Sequence, residues 1–111
     1  MVKIVGTKIR MTRGDTLKAR LVLRNRKTKE IYTPDPEDQI RFAMKRNYED
    51  PEPILVKNIP SDTLLFVLDP EDTKDLEQPG RFVYDMELTH TNGDVETFID
   101  KAKLILTEEV H

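Results

Sequence analysis

Apolar residues recur at every second position in several short runs. In residues 16–25, "TLKARLVLRN", Leu17, Ala19, Leu21 and Leu23 share one phase, and Lys18, Arg20, Val22 and Arg24 share the other. A period of two with one charged face marks a half-buried strand. The run "QIRFAMKR" (39–46) repeats it, with Ile40, Phe42 and Met44 inward, and Gln39, Arg41 and Lys45 outward or near the ends. "TLLFVLD" (63–69) groups Leu64, Phe66 and Leu68. The stretch "RFVYDMELTHTNGDVETFI" (81–99) holds two runs. Phe82, Tyr84, Met86 and Leu88 alternate with Val83, Asp85, Glu87 and Thr89, and Val95, Thr97 and Ile99 follow Asn92-Gly93. Asn-Gly accepts the positive φ angles of a type I′ turn, so this stretch predicts a hairpin. Leu104 and Leu106 add an apolar phase near the end. Two weaker strands are predicted, one near Ile9 and one over 54–59, where two phases compete.

Turn formers separate these runs: Gly14-Asp15, residues 33–38, 49–53, 60–62 and 70–80, and Asn92-Gly93. No stretch keeps a long helical period. "PEDTKDL" alone hints at helix: Asp69 suits the cap, Pro70 the first turn, and Glu71 and Asp72 the positive helix end. The pattern therefore predicts an all-β fold in a single domain over residues 1–111. We expect an immunoglobulin-like antiparallel β-sandwich of about seven strands, with one short helical turn near residues 70–76. A small barrel is the alternative. An acidic helical turn, then Gly80, then an aromatic strand fits the start of a penultimate sandwich strand. Tyr84 or Phe82 would sit at that corner, and the Tyr84 hydroxyl would reach a backbone group. The cysteine pair and core tryptophan of antibody domains are missing.

With 111 residues, a domain buries about two-thirds of the surface its unfolded chain exposes, enough for a core without staples. The absence of cysteine removes disulfides, thiolate metal sites and a thiol nucleophile, and fits a reducing cytoplasm. No apolar run is long enough for a membrane helix, and "MVKIVGTKIRM" has no signal-peptide apolar region. Net charge is −3, unevenly spread. Residues 1–29 carry ten basic groups and one acid, Asp15; residues 30–111 carry eight basic groups and twenty acids. Charge pairing across neighbouring strands is the plainer expectation. A dipolar surface that docks partners or further copies is the sharper one. A nucleic-acid partner is disfavoured, because the chain is acidic overall and its basic run lacks interleaved aromatics.

No catalytic, cofactor or metal residue is assigned. His90 lies beside the hairpin turn and His111 ends the chain; without a serine or carboxylate at suggestive spacing, both read as surface histidines. The acids of the turns (Asp35, Glu37, Asp38; Asp69, Glu71, Asp72, Asp75) read as solvated caps, and the spacing of a calcium-binding EF-hand loop is absent. Arg13-Gly14-Asp15 spells a tripeptide read by integrins, yet its residues suit a plain turn. Lys18, Arg20 and Arg24 line one exposed strand face. Tyr32 and Tyr48, flanked by turn residues, complete the candidate interaction surface.

Five phrases occur in one order: "TRGDT" (12–16), "YTPDPEDQIRFAMKR" (32–46), "PEDTKDL" (70–76), "YDMELTHTNGDVETFI" (84–99) and "LTEEV" (106–110). Together they resemble the N-terminal immunoglobulin-like domain of the baseplate upper protein family of phages and prophages of Gram-positive bacteria. The resemblance spans nearly the whole chain. It implies a non-catalytic structural module of a tail or baseplate that helps assemble or attach host-recognition parts. The implied partners are other tail and baseplate proteins or further copies of the chain. The implied location is the virion, after synthesis in the bacterial cytoplasm. Family members often continue into a long C-terminal region, so both a stand-alone accessory protein and a domain of a longer protein fit. A host-cell module that binds protein or carbohydrate is the alternative.

Overall fold

A computed structural model of the chain describes residues 3–5, 7–24, 27–76 and 80–107. Among these residues the elements run β1 (Lys3–Val5), β2 (Lys8–Thr12), β3 (Leu17–Arg20), β4 (Leu23–Arg24), β5 (Ile31–Tyr32), β6 (Gln39–Lys45), β7 (Leu55–Ile59), β8 (Leu65–Leu68), α1 (Pro70–Lys74), β9 (Gly80–Thr89) and β10 (Val95–Thr107). The fold is all-β apart from this one short helix. Ten strands replace the expected seven, partly because the run 16–25 breaks at Leu21-Val22 into β3 and β4. The main sheet has six strands in the order β1-β2-β10-β9-β6-β7, and it curls toward a half-barrel. Its pairs are antiparallel except β2 with β10, which run parallel. Two-stranded ladders β3-β8 and β4-β5 stand apart from it.

The alternation determines which side of each strand is dry. Phe82, Tyr84, Met86 and Leu88 of β9 are buried, as are Ile40, Phe42 and Met44 of β6. From the smaller ladder, Leu17, Phe66 and Leu68 are buried with them. Phe42 is the junction: its ring centroid lies 4.7 Å from that of Phe66 on β8 and 5.2 Å from that of Tyr84 on β9. Tilted aromatic pairs of this kind add about 0.5–1.5 kcal/mol beyond the area they bury.

On β10 the buried phase changes partway. The register with β9 slips between Thr97 and Ile99 and again between Ile99 and Ala102. Lys101 takes a positive φ of 52° there, and its N–H donates to Asp85 Oδ1 at 2.8 Å. Each slip adds one residue to β10 and reverses which parity faces inward, so the second restores what the first changed. Before both, Val95 is exposed; between them Ile99, opposite Met86, is half-buried; beyond them Ala102, Leu104 and Leu106 are buried. On β7 the competition resolves in favour of Leu55, Lys57 and Ile59, leaving Ile54 and Val56 exposed. Lys57 tolerates that side because its Nζ reaches Asp72 at 2.9 Å and Asp69 at 3.6 Å.

Helix α1 pins the turn between β2 and β3. Its start follows the expected chemistry, with Pro70 in the first turn and the Asp72 carboxylate accepting from the Asp69 N–H at 2.7 Å. Thr73 is fully buried, and its hydroxyl oxygen accepts from the Gly14 N–H at 2.8 Å. Arg13 donates from its side chain to the Leu76 carbonyl at 2.8 Å and from its N–H to the Thr107 carbonyl at 2.9 Å. Gly14 sits at φ 87°, where other residues are strained. Arg13-Gly14-Asp15 is thus a turn docked on the helix.

One local expectation is corrected. The β9–β10 connection is a three-residue loop, Thr91 to Gly93, in which only Gly93 has positive φ (94°). The Gly93 N–H donates to the His90 carbonyl at 2.9 Å, as in a type I turn closed by a left-handed glycine. Asn92 does not enter the left-handed region; its Oδ1 accepts from the Asp94 N–H at 2.9 Å. The Tyr84 hydroxyl reaches a backbone group as expected: it donates to the carbonyl of Thr7, in the connection between β1 and β2, and so ties that hairpin to β9. Burial pushes its pKa up to about 12.

Phe66→Ala is expected to cost about 3–5 kcal/mol in urea unfolding, because it empties the contact between the layers. Thr73→Val, nearly isosteric, is expected to cost about 1–3 kcal/mol by leaving the Gly14 N–H without its acceptor.

Candidate functional site

The smaller ladder is too narrow to cover the main sheet. A cleft of about 1160 Å³ remains along β3 and β4, over β2, β9 and the first half of β10. One wall is Ala19 to Arg24. The floor is apolar, formed by Ile9, Phe66, Tyr84, Met86, Leu88, Phe98 and Ile99. Tyr32, His90 and Glu96 close one end. The bulge on β10 contributes directly, since it leaves Phe98 and Ile99 half-buried beside the opening.

The five candidate contact residues separate into groups. Arg20, Arg24 and Tyr32 line the cleft. Lys18 lies outside its lining but shares the exposed outer phase of β3 with Arg20. Tyr48 stands elsewhere, 48% exposed, with the Lys101 ammonium 4.6 Å from its ring centroid. Arg24 donates to the Lys29 carbonyl at 3.1 Å. The expected pairing of charges across strands does not occur at β3. Lys18 lies opposite Val67 and Arg20 opposite Leu65, and Arg10 on β2 lies opposite Ile105.

At the end of the cleft lies a cluster the sequence did not reveal. Asp38 was expected to be a solvated turn acid, yet its side chain is fully buried. Its Oδ2 accepts from the Asp35 N–H at 3.0 Å and from the Tyr32 hydroxyl at 3.3 Å. Its Oδ1 is buried with no hydrogen-bond partner. His90, expected at the surface, packs edge-on against Tyr32 with centroids 6.2 Å apart. Its Nδ1 lies 3.8 Å from Asp38 Oδ2, and its Nε2 lies 3.1 Å from Glu96 Oε2. The hydrogen bond to Glu96 raises the His90 pKa above the ordinary value; burial opposes this, and the charges of Glu96, Asp38 and Asp94 add to it. Burial, then the charge of Asp38 and the hydrogen bond to it, raises that of Tyr32. The cluster joins the 33–38 turn to the β9–β10 hairpin. The signal that could have found part of it is the hairpin itself, which brings His90 and Glu96 near each other across the turn. His111 lies outside the described residues.

Among the described residues, no group of three or more His, Cys, Asp or Glu is placed to hold a metal ion. No family model matches the chain, and no curated protein or solved structure matches it either.

The His90 clasp carries a pH signature. Its folded pKa is raised, so its stabilisation is fully present below the unfolded histidine value of about 6.5 and is lost as pH rises through the folded value. Urea midpoints from pH 5 to 9 should show wild type losing its advantage over His90→Gln across that window. A pH-independent difference would contradict the clasp.

Proposed function

We propose that this chain is a non-catalytic structural and interaction module of a phage or prophage tail or baseplate, folded as an immunoglobulin-like β-sandwich. Its role is to help assemble or attach host-recognition parts, with other tail or baseplate proteins or further copies as partners. The observation that carries this reading is the ordered set of sequence phrases, taken together with the strand order. The order β10-β9-β6-β7 parallels the G-F-C-C′ order of variable-type sandwiches, and β3-β8 takes the place of B and E in the facing layer. β2 runs parallel beside β10, and α1 precedes β9 as the helical turn precedes the penultimate strand. Phe42 against Phe66 supplies the contact between layers.

A structural role also agrees with the polar cluster. Both ring nitrogens of His90 face carboxylates, and the Tyr32 hydroxyl is used on Asp38. These groups hold one another. Mass spectrometry of purified virions from an induced lysogen is expected to find the protein in the particle, at a copy number set by tail symmetry; its absence from virions contradicts the proposal.

The second reading, a host-cell module for protein or carbohydrate, draws on the cleft, whose volume matches or exceeds the roughly 300–1,000 Å³ of small-ligand sites. Recovery of the intact protein outside cells that make no particles would favour it.

A further inference from the structure

We propose that the open edge of β3 accepts an extended segment of another protein as an added strand, one that alternates apolar with acidic side chains. The proposal does not depend on the virion reading.

Three observations meet at this edge. The first is backbone direction. Among the described residues β3 pairs with β8 alone. The Leu21 N–H points toward β8, donating to the Leu64 carbonyl at 2.8 Å. Successive residues of a strand direct their backbone groups to opposite edges. The groups of Lys18, Arg20 and Val22 therefore point away from β8, along the side that borders the cleft. An extended segment laid there would find a ladder already begun.

The second is what lies beneath. A strand added beside β3 would turn every second side chain into the cleft of about 1160 Å³, onto Ile9, Phe98 and Ile99. Those side chains must be apolar. Leu21, half-buried at the wall, would be covered by them.

The third is charge, and it selects the partner. The remaining side chains of the added strand would lie on the outer face, beside Lys18, Arg20 and Val22. Lys18 and Arg20 are exposed, face Val67 and Leu65 across the existing ladder, and have no ion pair among the described residues. Like charges on neighbouring strands repel and opposite charges attract, so this edge favours acids at the outer positions and rejects bases. The excess of nine positive charges over residues 1–29 extends the same preference.

The test uses the whole chain and two labelled ten-residue peptides, one alternating valine with glutamate and one alternating valine with lysine. Fluorescence anisotropy should show saturable binding of the glutamate peptide, at least tenfold tighter than of the lysine peptide, and weakening as salt is raised. Val22→Pro removes an outward N–H but keeps the Leu21–Leu64 bond. It should lower affinity for the glutamate peptide at least tenfold, with an unchanged circular dichroism spectrum. If that variant does not fold, the double variant Lys18→Glu, Arg20→Glu decides, and it should reverse the peptide preference. Equal binding of both peptides, no binding, or full binding by folded Val22→Pro overturns the proposal. So does sedimentation showing that the edge is filled by a second copy of the chain, or competition by single-stranded DNA in place of the peptide.

Discussion

Phe42 is the point at which two layers become one structure. It projects from the middle of β6 onto Phe66 of the small ladder and lies beside Tyr84 of β9. An isolated two-stranded ladder is marginal in water, so β3-β8 depends on this contact for its order. The main sheet depends on it as well, because its apolar face needs a cover. The cover is narrow: two strands against six. The molecule closes where Phe42, Phe66, Leu17 and Leu68 meet and stays open where β10 bulges away. The cleft follows from that mismatch in width.

The open side is also where the charges collect. Lys18 and Arg20 lie opposite valine and leucine, so the ladder supplies no neutralising partner. At the far end, Tyr32, Asp38, His90 and Glu96 hold each other and fix the hairpin against the 33–38 turn. One end of the opening is thus polar, and its wall carries basic side chains with no acid opposite them in the β3-β8 ladder.

Much of the fold was legible in the sequence. The clearest alternating runs appear as strands with the expected side buried: Ile40, Phe42 and Met44, then Phe82, Tyr84, Met86 and Leu88. The run at Val95 to Ile99 is strand without that burial, because Val95 is exposed. The capped turn at Asp69-Pro70 appears as well. These depend on neighbours in the chain. What stayed hidden depends on distant contacts. The bulge at Lys101 rests on the carboxylate of Asp85, and no local residue type announces it. Asp38 looks like any turn acid until the hairpin covers it, and His90 looks exposed until Asp38 and Glu96 flank it. The turn at Asn92-Gly93 shows the limit of dipeptide rules. The pair is right for a hairpin, yet loop length decides which residue takes the left-handed angle. Of the predicted contact residues, Arg20 and Arg24 share a phase along the chain and Tyr32 joins them only through the β4-β5 pairing, which no local pattern announces; Lys18 and Tyr48 lie outside the cleft lining.

Among the described residues β3 is bonded along one edge, to β8, and bare along the other. Residue-resolved amide hydrogen exchange reads this directly. Leu21 should be protected through its bond to the Leu64 carbonyl, while the Arg20 and Val22 amides beside it exchange at nearly unstructured rates. Equal, strong protection of all three would mean that the edge is already covered and the narrow second layer is wrong.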